Sequence, residues 1–155
     1  MTLRTLSPRD FLVPVAVIHA ECFPDAWSVQ AIADLLQAPG TVGLASDDGF
    51  ILIRSAGDEA EILTLAVRPS ARRKGLGAAL VQAGALAMAG EGAGTMFLEV
   101  AVSNTVAQTL YTRLGFTNAG ERKGYYVRPG QAPEDALILR SNLPLSPLGK
   151  SGRTG

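Results

Sequence analysis

The chain has 155 residues, 47% of them apolar, and its 14 basic and 14 acidic side chains give a formal net charge of zero. This composition predicts one folded domain with a sizeable core. It argues against general nucleic-acid binding, which needs a positive surface to neutralise phosphates. A single cysteine excludes an intrachain disulfide. Because no secretory signal or long apolar span is present, we expect a cytoplasmic protein without membrane contact.

The first half of the chain predicts antiparallel strands preceded by two helices. Pro8 suits the first turn of a helix, and Ser28 suits the N-cap of another. The turn Asp47-Asp48-Gly49 predicts a hairpin between two strands. In chain order, the predicted elements are a strand at 3–6, helices at 10–22 and 29–37, and strands at 41–46, 50–55 and 60–67.

The second half predicts alternating helices and strands. Leu76, Leu80, Ala83 and Ala87 recur at helical spacing, and Gly115 suits the end of a later helix. The predicted elements are helices at 75–89 and 104–114 and strands at 97–102, 116–127 and 136–140. The order β-α-α-β-β-β-α-β-α-β-β predicts an α/β fold whose mixed sheet has helices on both faces.

A single domain is predicted over residues 1–143. The segment 144–155 is rich in Pro, Gly and Ser and lacks hydrophobic periodicity. We therefore expect a disordered C-terminal tail.

The stretch RRKGLG, residues 72–77, joins a predicted strand to a predicted helix. Its two glycines allow a ligand to approach the backbone closely, and N–H groups at a helix N-terminus favour an anion. The pattern is typical of a pyrophosphate site, although a tight turn with a solvated basic rim stays an alternative. It is neither a Walker loop nor the dinucleotide fingerprint, because it lacks G-K-S/T and the third glycine.

Two longer stretches, LTLAVRPSARRKGLGAALV and LEVAVSNTVAQTLYTRLGF, resemble the GNAT superfamily of acetyl-CoA-dependent N-acetyltransferases. Arg72-x-x-Gly75-x-Gly77 matches its signature, and the resemblance covers about residues 3–141. It implies a GNAT-like, mostly antiparallel central sheet of six to seven strands.

Four shorter pieces resemble the RimI-type ribosomal-protein alanine acetyltransferases. They are F-x-x-A-W-S from residue 23, L-E-V at 98–100, Y-Y at 125–126 and E-D-A at 134–136. Two positions depart from that pattern, because Ala26 replaces a proline and Gly124 replaces an asparagine or basic residue. These departures concern the acceptor rather than the superfamily.

The resemblance implies that acetyl-CoA is the co-substrate and that no metal is needed. The strand before the signature would bind the pantetheine arm through its backbone, and the signature loop would bind the pyrophosphate. Asn104 would contact the arm near the thiol, with a plain helix N-cap as the alternative. The implied binding residues are Leu65, Ala66, Val67, Arg72, Arg73, Lys74, Gly75, Leu76, Gly77, Asn104 and Tyr111.

Glu99 lies in the middle of an apolar strand, where an unpaired carboxylate is costly to bury. Strand alternation places it on one face with Phe97 and Ala101, and the crossover topology makes the strand central. We therefore expect Glu99 half-buried at a cleft, with a raised pKa that suits a general base. The resemblance assigns that role to Glu99 and the general acid to Tyr111, whose alternative is a core aromatic.

The resemblance also implies a substrate groove with an acidic rim, flanked by Trp27, Ser28, Tyr125, Tyr126, Glu134 and Asp135. For Trp27, plain packing beneath the second helix stays an alternative. The implied acceptor is the N-terminal amine of a protein, with the alanine of a ribosomal protein as the RimI-type case. A small-molecule amine acetyltransferase and a non-catalytic acyl-CoA-binding module stay open. We expect a monomer, and we expect His19 and Cys22 to be packing or surface residues.

Overall fold

The computed structural model of the protein describes residues 2–146. The prediction of a disordered tail therefore lies largely outside the described residues. Within them, the predicted order of strands and helices is confirmed. The elements are β1 (Arg4–Leu6), α1 (Val13–Cys22), α2 (Val29–Gln37), β2 (Thr41–Ala45), β3 (Gly49–Ala56), β4 (Glu59–Val67), α3 (Leu76–Gly90), β5 (Thr95–Ala101), α4 (Thr105–Arg113), β6 (Thr117–Tyr126) and β7 (Glu134–Asn142).

The first helix begins three residues later than predicted. Ser7 and Asp10 close a local turn instead, because the Ser7 N–H donates to Asp10 Oδ2 and the Asp10 N–H donates to the Ser7 carbonyl. Pro14, rather than Pro8, occupies the first helical turn. The prediction that a proline lies in the first turn of this helix is confirmed, but the choice of Pro8 is wrong.

The seven strands form one mixed sheet in the order β1-β2-β3-β4-β5-β7-β6. Among the strand pairs of residues 2–146, only β4–β5 is parallel. Helices α1 and α2 pack on one face through Phe50 and Leu52, while α3 packs on the other through Ile51 and Ile53. The predicted helices on both faces are therefore confirmed.

The parallel pair β4–β5 is short. It joins Glu59–Glu61 to Thr95–Phe97, and beyond these residues the two strands separate. In contrast, β4 pairs with β3 along its whole length, with one register shift that leaves Leu63 opposite no β3 residue. An extra residue of this kind bends a strand. The bend lies where β4 leaves β5, and the separation opens a gap in the middle of the sheet.

His19 packs inside the apolar layer between α1 and the sheet, with 2% of its surface exposed. Its ring stacks on Trp27 at 4.7 Å between centroids and lies 4.6 Å from Phe23. Its Nδ1 accepts a hydrogen bond from the Trp27 N–H at 3.1 Å. His19 therefore joins α1 to the segment before α2, and burial lowers the pKa of its imidazole.

Burial of His19 makes stability depend on pH. Because its folded pKa lies below its unfolded value of about 6.5, the unfolded state binds the proton more readily, and stability falls as the pH drops below that value. We expect the free energy of unfolding in urea to decrease from pH 7 to pH 5. His19→Asn, which keeps a hydrogen-bond acceptor, should flatten this dependence.

The measurement is unambiguous because the chain has one histidine. The ring-proton NMR resonance of His19 should titrate below pH 6.5. Titration at or above that pH in the folded protein would contradict the linkage.

Candidate active site

The gap between β4 and β5 is a cleft of about 850 Å³, within the range typical of ligand pockets. Ile62, Leu63, Thr64 and Leu65 form one wall, and residues 98–101 form the opposite one. Both faces of β5 contribute, because the cleft passes through the sheet. The end of α1 and the segment that follows it, helices α2 and α4, strand β3 and the end of β6 also contribute to the lining.

The wall formed by β4 offers backbone hydrogen-bonding groups. In the part of the chain that the structure describes, no strand pairs with β4 on the cleft side beyond Glu61. An extended ligand can therefore pair with this strand as an added strand would. Of the three residues of this strand predicted to bind the cofactor, Leu65 lines the cleft, while the Ala66 side chain is buried in the core beneath α1. Val67 lies outside the lining, and its carbonyl already accepts hydrogen bonds from Cys22 and Arg72, so the prediction for its carbonyl is wrong.

The predicted signature loop forms a tight turn into α3. Arg73 and Gly75 both have left-handed backbones, with φ of 66° and 84°, and such turns form anion-binding concavities. The Ala79 N–H donates to the Gly75 carbonyl. The first N–H groups of α3, which begin at Leu76, therefore have no partner within the helix.

One of the three basic side chains of this loop, that of Arg72, makes contacts within the protein. The Arg72 guanidinium donates to the Val67 carbonyl at 3.0 Å and to Cys22 Sγ at 3.5 Å, and the Cys22 thiol donates to the same carbonyl at 3.3 Å. These contacts fix the end of β4 against the loop. The loop's capacity to bind an anion therefore depends on its backbone and on the remaining positive charge of Arg73 and Lys74.

Asn104 caps α4. Its side-chain oxygen accepts from the Ala107 N–H at 3.1 Å, so the N-cap interpretation is confirmed. The residue also lines the cleft. Because the oxygen serves the cap, its amide group is the part that remains for a ligand.

Glu99 lies on the cleft wall with 12% of its side chain exposed. Its Oε1 accepts a charge-assisted hydrogen bond from Arg122 Nη1 at 2.6 Å. Its Oε2 is buried and has no hydrogen-bond partner among the described residues. The structure therefore agrees with the half-buried position predicted for Glu99. The sequence pattern did not indicate that Arg122 would bind it.

Tyr111 lines the same cleft from α4. It is 4% exposed, and its ring makes an edge-on contact with Phe116 at 5.5 Å. Burial, and secondarily the neighbouring Tyr126, raise the pKa of its hydroxyl well above the ordinary value. The predicted core packing and the predicted position at the site therefore both hold for this residue.

The residues predicted for the substrate groove divide into two groups. Trp27, Tyr125 and Tyr126 line the cleft. Ser28 caps α2 by accepting from the Ala31 N–H at 3.1 Å and is not part of the lining.

The two predicted acidic residues are also outside the lining. Glu134 accepts from the Ser103 N–H at 2.9 Å and binds Arg128 at 3.2 Å. Asp135 accepts from the Gly124 N–H at 2.8 Å and from Lys123. The two carboxylates stabilise β6 and the segment just before α4. The same hydrogen bonds lower the pKa values of Glu134 and Asp135 below the usual range.

Five charged side chains that were not among the predicted site residues line the cleft or touch its lining: Asp25, Arg54, Glu61, Arg122 and Arg128. Arg54 and Glu61 form an ion pair at 3.2 Å, Arg128 lies 5.4 Å from the Tyr126 ring, and Arg122 binds Glu99. The Arg54–Glu61 pair joins consecutive strands, whereas Arg122 and Glu99 are 23 residues apart on strands separated by β7, so no local motif marks their contact.

Within residues 2–146, no three His, Cys, Asp or Glu side chains lie together as a metal site. The same residues contain no helix of sufficient length and apolarity to cross a membrane.

Comparison with known proteins agrees with this geometry. Residues 12–116 match the acetyltransferase (GNAT) family. Over 90 residues the chain is 37% identical to the ribosomal protein bS18-alanine N-acetyltransferase of Haemophilus ducreyi. That match covers 58% of this chain and 62% of the relative, less than two thirds of its length.

Two solved structures share the fold. The ribosomal-protein-S18-alanine N-acetyltransferase of Escherichia coli superposes with a TM-score of 0.80 at 30% identity, covering 91% of this chain and 92% of the other. Arabidopsis thaliana NAA60 in complex with acetyl-CoA has a TM-score of 0.79 at 21% identity, over 92% and 98% of the two chains. The predicted resemblance is confirmed, and the chain belongs to the acetyltransferase (GNAT) family.

Proposed function

We propose that the protein transfers an acetyl group from acetyl-CoA to the N-terminal amine of a protein, with the alanine of a ribosomal protein as the leading acceptor. The observation that carries the proposal is the cleft between β4 and β5, which brings Glu99 and Tyr111 to one cavity. A cytoplasmic, monomeric enzyme without direct nucleic-acid or membrane contact belongs to the same proposal.

The residues present suit acetyl-CoA as the donor. The unpaired cleft side of β4 can pair with an amide-rich pantetheine arm. The left-handed turn at Arg73 and Gly75 and the free N–H groups of α3 suit a pyrophosphate. A backbone N–H near Leu65 would stabilise negative charge that develops on the thioester oxygen. Acetyl-CoA supplies the activated acyl group.

Glu99 would act as the general base. An amine arrives as an ammonium ion and must lose a proton before it can attack. The buried Oε2 of Glu99 has no partner among the described residues, so it can accept that proton directly or through a water molecule. The neutral amine then attacks the thioester carbonyl without a covalent enzyme intermediate.

Tyr111 would stabilise the departing thiolate. Because burial raises the pKa of its hydroxyl, the phenol stays protonated and remains a hydrogen-bond donor at neutral pH. A thiol has an ordinary pKa of about 8.5, so complete proton transfer from Tyr111 to the thiolate costs free energy. The environment of Tyr111 therefore favours donation of a hydrogen bond to the sulfur in the transition state. Complete proton transfer, in which Tyr111 acts as a general acid, is the stronger version of the same role.

Trp27, Tyr125 and Tyr126 would flank the acceptor at the cleft mouth. The hydrogen bonds of Ser28, Glu134 and Asp135 stabilise the backbone segments next to these aromatic residues. The bacterial relatives are alanine N-acetyltransferases of ribosomal protein bS18, which favours a protein N-terminus as the acceptor. A small-molecule amine and a non-catalytic acyl-CoA-binding role are the alternatives.

The deciding experiment measures release of free thiol from acetyl-CoA with a peptide that begins with alanine. We expect turnover with this peptide, and Glu99→Gln should lower kcat by about 10²- to 10⁴-fold, the usual contribution of acid–base catalysis. An N-acetylated peptide of the same sequence is the control. Turnover with small amines alone would contradict the protein acceptor. Tight acetyl-CoA binding without turnover on any amine would identify a binding module.

Gly75→Ala should weaken acetyl-CoA binding. A left-handed backbone costs a residue with a Cβ about 1–2 kcal/mol, which corresponds to a roughly 5- to 30-fold change in Kd. Gly57→Ala is the matched control, because Gly57 also has positive φ, at 63°, but lies in the β3–β4 turn with open space around it. Calorimetric titration with acetyl-CoA should separate the two variants, and equal affinities would argue against the loop as a binding site.

Tyr111→Phe keeps the ring contact with Phe116 but removes the hydroxyl. We expect thermal stability to stay near that of the wild type and kcat to fall by about 10²- to 10³-fold, as for loss of one preorganised donor. Because the phenol stays protonated, the loss should be constant from pH 6 to pH 9. Full activity of this variant would leave Tyr111 as a packing residue only.

A further inference from the structure

The two carboxylate oxygens of Glu99 have different surroundings. Oε1 receives a short, charge-assisted hydrogen bond from Arg122, at 2.6 Å. Oε2 is buried without a hydrogen-bond partner among the described residues, and a buried unsatisfied acceptor costs free energy. The side chain lines the cleft. The unsatisfied Oε2 therefore indicates that a bound ligand supplies the missing hydrogen-bond donor.

Arg122 reaches Glu99 from a distant part of the sheet. It lies on β6, and β7 separates that strand from β5: Arg122 is opposite Ala136, and Glu99 is opposite Ile138. The Arg122 side chain therefore crosses β7. Its guanidinium carbon lies 4.4 Å from the centroid of the Tyr125 ring, a favourable cation–π geometry. The ring and the carboxylate together fix the position of the guanidinium.

We propose that Arg122 is a positioning residue for acetyl transfer: by binding Oε1 it fixes the Glu99 carboxylate so that Oε2 faces the ammonium group of the acceptor. This inference rests on the proposed function. In the step it supports, one N–H bond of the ammonium breaks, an O–H bond forms at Oε2, and the nitrogen keeps the electron pair with which it attacks.

The charged groups around Glu99 make Arg122 the cation that balances it. Tyr125 and Tyr126 on β6 and Tyr111 on α4 have pKa values raised first by burial, and the adjacent Glu99 carboxylate raises the pKa of Tyr125 further, so all three are neutral near pH 7. The remaining neighbours are already paired, because Glu61 binds Arg54 and Arg128 binds Glu134. The Glu99 contact also raises the pKa of Arg122.

A different role for Arg122 would have the opposite kinetic consequence. If the guanidinium only occupied the place of the acceptor ammonium, its removal would free the site. Loss of Arg122 would then lower KM for the peptide or raise kcat/KM. A positioning role instead requires that its loss impair the reaction through Glu99.

The first test is the crystal structure of the Arg122→Gln variant of the whole protein. We expect the Glu99 carboxylate to leave the position in which Oε1 contacts residue 122 and Oε2 is buried in the cleft. Lys123→Gln is the matched control, because Lys123 is the next residue on β6 and binds Glu121 and Asp135 instead. An unchanged position of the Glu99 carboxylate in Arg122→Gln overturns the proposal.

The second test measures kcat and KM with the alanine peptide. Arg122→Gln should lower kcat by up to about 10²-fold, the cost of misplacing a catalytic group, while KM for the peptide changes little. Arg122→Lys, which keeps the charge, should restore most of the wild-type kcat. In a Glu99→Gln background, Arg122→Gln should have little further effect. Higher kcat/KM in Arg122→Gln, or additive losses in the double variant, would refute the positioning role.

The two tests distinguish this inference from the proposed function. A wild-type protein that acetylates no amine would refute the proposed function. The crystal structures of the two variants need no substrate, so they would still decide whether Arg122 fixes the position of the Glu99 carboxylate.

Discussion

The structure depends on the point at which β4 and β5 stop pairing. Up to Glu61 and Phe97 the two strands form an ordinary parallel ladder, and beyond it each keeps its outer partner but loses the inner one. Unpaired backbone groups inside a sheet are costly unless a partner replaces them. The fold therefore retains hydrogen-bonding groups for a ligand at its centre, and the same separation admits side chains from both faces of the sheet.

The signature loop and the cleft differ in the groups they offer. The loop, whose residues lie outside the lining of the cleft, presents backbone N–H groups at a left-handed turn, and its Arg72 guanidinium binds the end of β4. In the cleft, side chains dominate: Glu99, Arg122 and the tyrosines of β6 form a small network of charge and aromatic contacts. Backbone recognition suits an invariant ligand, whereas side-chain recognition can be changed by single substitutions.

Local pattern in the sequence predicted much of this arrangement. The element order, the caps at Ser28 and Asn104 and the half-buried position of Glu99 follow from spacing and alternation within short segments. The Arg122–Glu99 pair could not be predicted in this way, since it depends on β7 lying between β5 and β6. Glu134 was predicted to flank the substrate groove, but its carboxylate binds Ser103 and Arg128 instead. The sequence alone does not reveal these two contacts.

The irregular pairing of β6 bears on how the cleft can move. Between Arg122 and Tyr126, three residues of this edge strand are opposite a single residue of β7, so this segment has fewer ladder hydrogen bonds than the strands of the sheet centre. Segments of this kind open locally at a smaller free-energy cost than the rest of a fold. The β6 side of the cleft is thus held by fewer ladder hydrogen bonds than β4, which pairs with β3 along its whole length. Under the proposed function, this difference lets the β6 side adjust to a peptide at a smaller free-energy cost than the β4 side.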